Sequence, residues 1–436
     1  MKASLLLISC MLTFQSIAQA DFIQIQTNKA LCLFSFLETA KGENSTSSSF
    51  KEYIDKHLEG NEKFASIVKE YHGLNLSYSF KKEEFPEGRH SYRNTKDLIW
   101  VALSNSKNVE DFSQRIIGYL PHQTHVRLVS LLKETEAIYD ELIWKEEQEN
   151  ILRMEKQLSN YKGQIAEAFK KVSQFYGTTW DQSIPFRISL CPIPLEKGST
   201  SAIPKGNVLI CNFLSRNEND YKGRLGVIIH EMCHILYDEQ PLEMQQNLDD
   251  LYAKSNSEYA KLTYTYTDEG LATALGNGWA YEYINGALDE TDWYNNKYIN
   301  GFAKALYPSV KEYIDAGKSM DAAFVNQSIE IFKETFPNAI YETAILMNEI
   351  KLFANAEEMP DIEYISSSLR KFMQVRSMWF STPIKAEQSI QTFHDPQVTK
   401  CFVIEKENAE SIALLNQQFP GLQLSNTLNC LDLIPQ

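Results

Sequence analysis

The stretch Val227-Ile228-Ile229-His230-Glu231-Met232-Cys233-His234-Ile235-Leu236 sets two histidines and a glutamate into an otherwise apolar run. At 3.6 residues per helical turn, His230 and His234 lie one turn apart on the same face, so both imidazoles can reach one ion. HExxH on a helix is the spacing of two zinc ligands, with the glutamate as the general base for a zinc-bound water. The stretch therefore predicts one Zn²⁺ per chain, with Glu231 as the catalytic residue.

Apolar residues surround the three polar side chains of this motif. They are Ile228, Ile229, Met232, Ile235 and Leu236. An imidazole or carboxylate that is buried without a partner among hydrocarbon costs free energy, and a ligated metal removes that cost. We therefore favour a metal site over two histidines satisfied within an ordinary core. Cys233, inside the motif, is interpreted as a small buried hydrophobe rather than a ligand.

The first twenty residues have the pattern of a secretory signal peptide. Lys2 precedes an apolar run over residues 3–14, and Ala18-Gln19-Ala20 has the small-x-small arrangement of a cleavage site. We therefore expect cleavage after Ala20 and a secreted or periplasmic protein. Leu7-Ile8-Ser9-Cys10 resembles a lipoprotein cleavage site, but it would leave an apolar region shorter than a signal peptide needs.

The chain is acidic, with 57 Asp and Glu against 42 Lys and Arg and a formal net charge of −15. Such a surface repels phosphate groups, which argues against nucleic acid and anionic membranes as partners. After the signal peptide no segment offers about eighteen uninterrupted apolar residues, so we expect no membrane span. Because 436 residues exceed one comfortable core, we expect two or three domains.

The cysteines fit an exported protein without dictating a disulfide framework. Of the seven cysteines, six follow the signal peptide. Position along the chain suggests two disulfides, one between Cys191 and Cys211 on neighbouring predicted strands and one between Cys401 and Cys430. Cys32 would then be left over.

The region before the motif predicts mostly helices. Residues 21–150 show helical patterns that are interrupted by the polar loop Gly42–Ser49. A long helix rich in Lys and Glu runs from about Thr124 toward Tyr176, with a break near Asn160 and Gly163. Such a charged helix is typical of a solvated surface rather than of a binding patch.

Two strands are predicted directly in front of the motif helix. Ile184–Cys191 alternates like a strand, and Gly206–Phe213 reads as a second one. The polar stretch Asn217–Asp220 supplies helix caps, and the motif helix ends before Pro241.

A catalytic zinc needs a third protein ligand and an open position for water. The metzincin pattern would place Gly at 237 and His at 240, but this chain has Tyr237 and Gln240. After His234 the next histidine is His394, which is too distant for a confident assignment. A carboxylate is therefore the expected third ligand.

Glu269 is the best candidate for that carboxylate. Thr267 or Asp268 can cap a helix, and Glu269 then falls in its first turn. Gly270, Ala272 and Ala274 keep this helix slim, so its backbone can approach the motif helix. The rival carboxylates are Asp268, Glu282, Asp249 and Asp250, and a purely structural role at the helix N-terminus is the remaining alternative.

The order of helix, strands and HExxH helix, followed 35 residues after His234 by Glu269-Gly270-Leu271-Ala272, resembles the gluzincins. These are zinc metallopeptidases whose third ligand is a glutamate on a second helix. The resemblance covers roughly residues 150–285 and implies that His230, His234 and Glu269 bind zinc while Glu231 is the base. Many gluzincins place an Asp four residues after the ligand glutamate to orient a histidine. This chain has Thr273 there, whose hydroxyl is a weaker orienting partner.

The same resemblance implies a mechanism for peptide hydrolysis. Zinc activates a water and polarises the carbonyl, while Glu231 accepts the proton and passes it to the leaving amine. The oxyanion usually needs one more donor, for which the candidates are Tyr341, His394, Tyr281 and Tyr283. In zincins an edge strand aligns an extended peptide through its backbone, and Val208–Phe213 is the expected edge strand here.

These observations predict an α+β, mostly helical fold. We expect the signal peptide at residues 1–20, a helical N-terminal region at 21–150, a zincin-like core with a small mixed sheet and the two ligand helices at 151–359, and a small α/β region at 360–436. Further expected elements, near or in that last region, are a helix at Asn338–Phe353, a strand at Cys401–Ile404, a helix at Ala409–Phe419 and a short strand at Leu422–Leu424.

The expected function is that of a secreted zinc-dependent peptidase, with a peptide or protein as its substrate. The alternative is a non-catalytic exported protein that uses a zincin scaffold for binding, with or without a metal. An intact Glu231 favours the enzyme, because a purely structural zinc site needs no base and usually has four protein ligands.

Overall fold

The structure is a computed structural model that describes residues 22–42, 47–86, 89, 92–217, 221–342, 349–355, 364–366, 368–369, 377–391, 393, 399–404 and 408–421. The chain forms two compact units, Met1–Thr335 and Phe336–Gln436. Helices dominate the described part of the chain and small sheets accompany them, so the expected α+β, mostly helical fold class is confirmed. The predicted signal peptide, His394, Cys430 and the strand Leu422–Leu424 lie outside the described residues, and the domain boundaries at 150 and 359 stay predictions.

A four-stranded mixed sheet forms the base of the first unit, in the order β1-β4-β6-β5. Its strands are β1 (Ile23–Thr27), β4 (Phe186–Ile193), β5 (Ala202–Lys205) and β6 (Val208–Leu214). β1, β4 and β6 are parallel, and β5 runs antiparallel to β6. The N-terminal region, which was expected to be mostly helical, therefore also contributes a strand, and that strand pairs with β4.

The expectation that Val208–Phe213 is the edge strand was wrong. β6 lies between β4 and β5, so the outer strand on this side of the sheet is β5. β5 also lies against the motif helix. The sequence concealed β5 because it has only four residues and contains Pro204, which cannot donate to a ladder and is tolerated mainly at sheet edges.

Helices pack against the sheet and form the large core of the N-terminal region. They are α1 (Lys29–Lys41), α2 (Ser48–His57), α3 (Glu62–His72), α4 (Thr95–Ser104), α5 (Val109–Arg115), α6 (His122–Tyr139), α7 (Lys145–Ser159) and α8 (Lys162–Tyr176). A π segment joins α6 to α7, and α8 begins after a break at Asn160 and Tyr161, as predicted. A hairpin, β2 (Ser79–Lys81) with β3 (Tyr92–Asn94), precedes α4.

The disulfide expected between Cys191 and Cys211 is not formed, and both thiols are buried and free. In the β4–β6 register Cys211 lies opposite Leu190, while Cys191 lies opposite Asn212. Side chains alternate between the two faces of a strand, so positions offset by one residue point to opposite sides of the sheet. Cys32, Cys233 and Cys401 are also buried and free.

Six helices complete the first unit. They are α9 (Tyr221–Asp238), α10 (Leu242–Ala253), α11 (Ala260–Thr273), α12 (Tyr281–Asn285), α13 (Lys297–Asp315) and α14 (Ala322–Thr335). α9 carries the HExxH motif and ends before Pro241 as expected. A π segment, Ala274–Ala280, links α11 to α12 without a break. Pro308 lies inside α13.

The second unit contains a parallel sheet in the order β8-β7-β9. Its described elements are β7 (Glu349–Ala354), β8 (Ser377–Ser381), β9 (Thr399–Val403), α15 (Glu387–Gln391) and α16 (Ala409–Gln418). The helix predicted for Asn338–Phe353 was wrong, because that segment gives a 3₁₀ turn at Ala339–Tyr341 and then β7. β7 has only six residues, and periodicity cannot distinguish so short a segment from part of a helix.

Over the described residues, no helix has both the length and the apolar character needed to cross a membrane.

Candidate metal centre

Three side chains from two helices converge at one point. His230 Nε2 lies 3.2 Å from His234 Nε2, and Glu269 Oε2 lies 3.6 Å from the first of these nitrogens and 3.8 Å from the second. One ligand atom from each residue lies within 4.8 Å of the other two. Three donors at this spacing can hold one metal ion. The two histidines come from α9 and the carboxylate from α11.

Glu269 reaches this point from the middle of a helix and not from its first turn. α11 begins at Ala260, so neither Thr267 nor Asp268 is its cap, and that expectation was wrong. The run of Thr and Tyr before Glu269 has low helix propensity, but tertiary packing overrides it. Tyr266, for example, is fully buried and its ring packs against Tyr298 and Phe332.

A glycine contact lets the two ligand helices approach closely, but the glycine is not Gly270. A Cβ placed on Gly276 would lie 2.6 Å from the backbone nitrogen of His230, closer than real Cβ contacts allow. A Cβ on Gly270 would instead meet the ring of Phe302 on α13 at 2.7 Å. On the opposite side of the contact, a Cβ on Gly226 would lie 3.5 Å from the carbonyl oxygen of Gly276. Gly276 is therefore the residue that allows the helix pair to close over His230.

Each imidazole has a polar partner on its other nitrogen. His234 Nδ1 lies 2.9 Å from Asp268 Oδ1, and His230 Nδ1 lies 3.2 Å from Asn277 Oδ1. A partner that accepts from Nδ1–H fixes the tautomer in which Nε2 is free to bind a metal. Asp268, a rival in the choice of third ligand, therefore orients a histidine here. Its neighbour Glu269 is the carboxylate that faces both Nε2 atoms.

Thr273 is not the partner of a histidine. Its side chain is fully buried, and its hydroxyl has no hydrogen-bond partner within the described part of the chain. The partner of His230 is instead Asn277, eight residues after Glu269, which lies in the π segment that begins directly after Thr273. The Gly-Asn-Gly sequence around Asn277 carries no signal for this role.

The charges at this site favour a cation. Burial on its own lowers the pKa of the His234 imidazole, but the carboxylate of Asp268, followed by those of Glu269 and Glu231, raises it to about 10. Burial also raises the pKa of Glu231, which the two imidazoles oppose and the carboxylates of Glu269 and Asp268 reinforce. Three carboxylates thus surround two imidazoles. Two histidines and one glutamate are a known catalytic zinc set that leaves a position open, so the residues present fit Zn²⁺.

The other rival carboxylates have partners elsewhere. Glu282 pairs with Lys311 and Tyr307, and Asp250 Oδ2 lies 2.6 Å from Lys254 Nζ. Asp249 lies beside Tyr264, where its charge contributes to the raised pKa of that phenol, although burial is the larger cause.

Tyr294 is an aromatic residue beside the metal ligands that the sequence did not single out. Its ring stacks on His230, with centroids 6.2 Å apart and planes inclined by 24°. Among the expected oxyanion donors, Tyr283 donates its hydroxyl to Glu167 (2.7 Å) and Tyr281 packs against Gly226. Tyr341 belongs to the second unit and is 78% exposed. Tyr294 lies between α12 and α13 among 22 tyrosines in the chain, and no spacing distinguishes it.

No family model, curated protein or solved structure matches this chain.

Proposed function

We propose that this protein is a zinc-dependent peptidase in which His230, His234 and Glu269 hold the metal and Glu231 is the general base. The observation that carries the proposal is the convergence of the two Nε2 atoms with Glu269 Oε2, next to a carboxylate that the triad does not use. A structural zinc site normally has four protein ligands and no base, whereas a catalytic site has three and an open position. The sequence resemblance to gluzincins supports the same assignment.

Residues of the chain have separate roles in the proposed reaction. Bound zinc supplies a Lewis acid that polarises a carbonyl and makes water more acidic. Glu231 accepts a proton from the attacking water and delivers it to the nitrogen of the leaving amine. Asp268 and Asn277 hold the imidazoles in the ligating orientation.

Tyr294 is the residue we assign to the developing oxyanion. Its ring stacks on the imidazole of His230, with centroids 6.2 Å apart, which places this tyrosine beside the proposed ligands. A phenol that donates to charge developing in the transition state lowers the barrier more than it strengthens substrate binding. Tyr294→Phe should therefore lower kcat more than it raises KM, with zinc content unchanged.

The outer edge of β5 is suited to align a peptide. Asn212 N–H donates to Ser201 C=O (2.9 Å), and hydrogen-bonded pairs alternate along an antiparallel ladder. The backbone groups that face away from β6 are therefore those of Ala202 and Pro204. Pro204 offers only its carbonyl, so Ala202 supplies both a donor and an acceptor to an extended substrate.

The test combines metal analysis with two variants of the full chain. We expect about one zinc per chain and hydrolysis of some members of a diverse peptide mixture, both abolished by a chelator. Glu231→Gln should keep zinc and lose hydrolysis by at least about a thousandfold, because the base is gone while the ligands remain. Glu269→Ala should fold and lose zinc.

Each contrary outcome has a defined meaning. A chain that binds no zinc after gentle purification excludes the proposal. Zinc binding without hydrolysis of any peptide would support the non-catalytic binding protein instead. Zinc bound by Glu269→Ala as tightly as by the parent would place the third ligand elsewhere.

Export from the cytoplasm is part of the proposal. The pattern of residues 1–20 supports it. Sequencing the N-terminus of the protein isolated from its native host should give a chain that begins at Asp21.

A further inference from the structure

A cavity of about 160 Å³ opens beside His234 at the C-terminal end of α9. Its walls come from three parts of the first unit: the end of α9, the turn from β5 to β6, and α4 with the residue Arg93 before it. His234 is both a wall of this cavity and one of the proposed ligands. The cavity therefore adjoins the place where a scissile bond would be held.

The uncharged side chains that line the cavity are apolar. Ile235 is buried, and Leu98 and Val101 on α4 are half-buried with surface left to cover. A substrate group that covers this surface removes it from water, at about 25 cal/mol for each Å². Apolar walls next to the ligands thus favour an apolar side chain over a polar one.

Four of the charged side chains around the cavity form ion pairs with one another. Lys205 Nζ lies 2.7 Å from Asp97 Oδ1, and Arg93 Nη2 lies 3.0 Å from Asp238 Oδ2. Glu239 adds an exposed carboxylate to the lining. A charged substrate side chain would lose its hydration on entering, and an acidic one would also meet the carboxylate of Glu239.

The volume of the cavity sets the size of the group it can accept. An apolar cavity of about 150 Å³ holds one benzene molecule. A space of about 160 Å³ therefore matches a phenyl ring or a branched aliphatic side chain, and the bicyclic indole of tryptophan exceeds it.

We propose that this cavity binds the side chain of a substrate residue next to the scissile bond and selects an uncharged apolar side chain of leucine or phenylalanine size. Pro204 and Lys205 line the cavity and also end β5, so a peptide extended along the outer edge of β5 passes its opening. This inference rests on the proposed peptidase function.

The first experiment uses the zinc-loaded full chain and a series of peptides that differ at one position beside the cleaved bond. Leu and Phe should be cleaved at least about tenfold faster in kcat/KM than Ala, because a few methylenes in an apolar pocket are worth that factor. Glu should be the poorest substrate. Equal rates for all five of Leu, Phe, Ala, Glu and Lys would overturn the inference.

Two variants change the cavity in opposite directions. Val101→Phe narrows it and should reduce the preference for Phe over Ala at least about tenfold. Leu98→Ala widens it and should raise cleavage of the Trp peptide relative to the Phe peptide. Val126→Phe on α6 makes the same substitution as the first variant at a 52% exposed position and should leave every ratio unchanged.

Zinc content and thermal unfolding are measured for each variant. A change in the kcat/KM ratio between peptides is then interpreted only for protein that is folded and contains zinc. Ratios within twofold of the parent in both cavity variants would overturn the inference and leave the peptidase function standing. A zinc-bound parent that cleaves no peptide would overturn the peptidase function itself, and this inference with it.

Discussion

The two helices that carry the proposed metal ligands differ in their regularity. α9 is an uninterrupted α-helix of 18 residues, whereas its partner changes from α to π geometry at Ala274. On α9 the spacing of four residues places His230 and His234 on the same face of the helix. On the partner helix, spacing alone misassigns the residue that faces His230, because the π segment brings Asn277 to the contact. Sequence spacing is thus a reliable guide to a ligand set only where the helix stays regular.

The largest expected effect comes from a substitution that fills the close contact between these two helices. Gly276→Ala places a methyl group 2.6 Å from the backbone nitrogen of His230, and backbone cannot move aside as a flexible side chain can. We expect a loss of about 3 kcal/mol in the free energy of unfolding, at the upper end of overpacking, together with loss of zinc. Urea unfolding with and without zinc measures both.

Gly163→Ala is the control for this substitution. Gly163 lies in α8 with no atom within 4 Å of an added Cβ, so alanine should be neutral or slightly stabilising there. If Gly276→Ala unfolds at the same urea concentration as the parent and keeps its zinc, the helices do not pack as closely as described.

A smaller effect is expected from the residue that the π segment brings to His230. Asn277→Ala removes the acceptor for His230 Nδ1 and should weaken zinc binding about 10- to 100-fold without unfolding the chain. Asn277→Asp keeps an acceptor oxygen and should stay within a few-fold of the parent. Competition with a chromogenic chelator gives the affinities.

Asn285→Ala at the end of α12 controls for the loss of an amide, since its side chain donates to the carbonyl of Tyr281 and not to a residue of the proposed metal site. Unchanged zinc affinity in Asn277→Ala would mean that Asn277 does not orient the imidazole.

The smallest effect is expected at Thr273, the last residue of α11. Its hydroxyl is buried and has no hydrogen-bond partner within the described residues, so Thr273→Val removes an unpaired polar group at nearly constant shape. We expect no loss of stability and a gain of up to about 1 kcal/mol, with zinc affinity unchanged. A fall in zinc affinity would show that the hydroxyl takes part in orienting the site and would weaken the contrast between the two helices.

The parts of the site that could be predicted are those set by local spacing. His230, Glu231 and His234 follow from one motif on one helix, and Glu269 follows from the carboxylate that such a site requires. Asn277 could not be foreseen, because a π segment arises from packing between helices and has no sequence signature here. Tyr294 could not be foreseen either, because its approach to His230 depends on how the connection between α12 and α13 folds back.

The same division holds for the fold. The motif helix and the strands β4 and β6 have strong patterns, and the structure contains them within two residues of the predicted bounds. β5 was missed because its four residues, one of them a proline, are too few to show the alternation of apolar and polar side chains that marks a strand. β7 was mistaken for part of a helix because its six residues are too few for periodicity to distinguish a strand from a helix. In both cases the tertiary environment, rather than the local pattern, decided the secondary structure.

The parallel pairing of β1 with β4 also has a kinetic consequence. It joins residues about 160 positions apart, so an entropic cost of loop closure must be met before this half of the sheet can form. In a growing chain β1 has to wait for β4, and the sheet is complete only after β6 has been synthesised. The histidines and Glu269 follow β6 in the chain, so we expect a metal ion to be captured only after every strand of this sheet has been made.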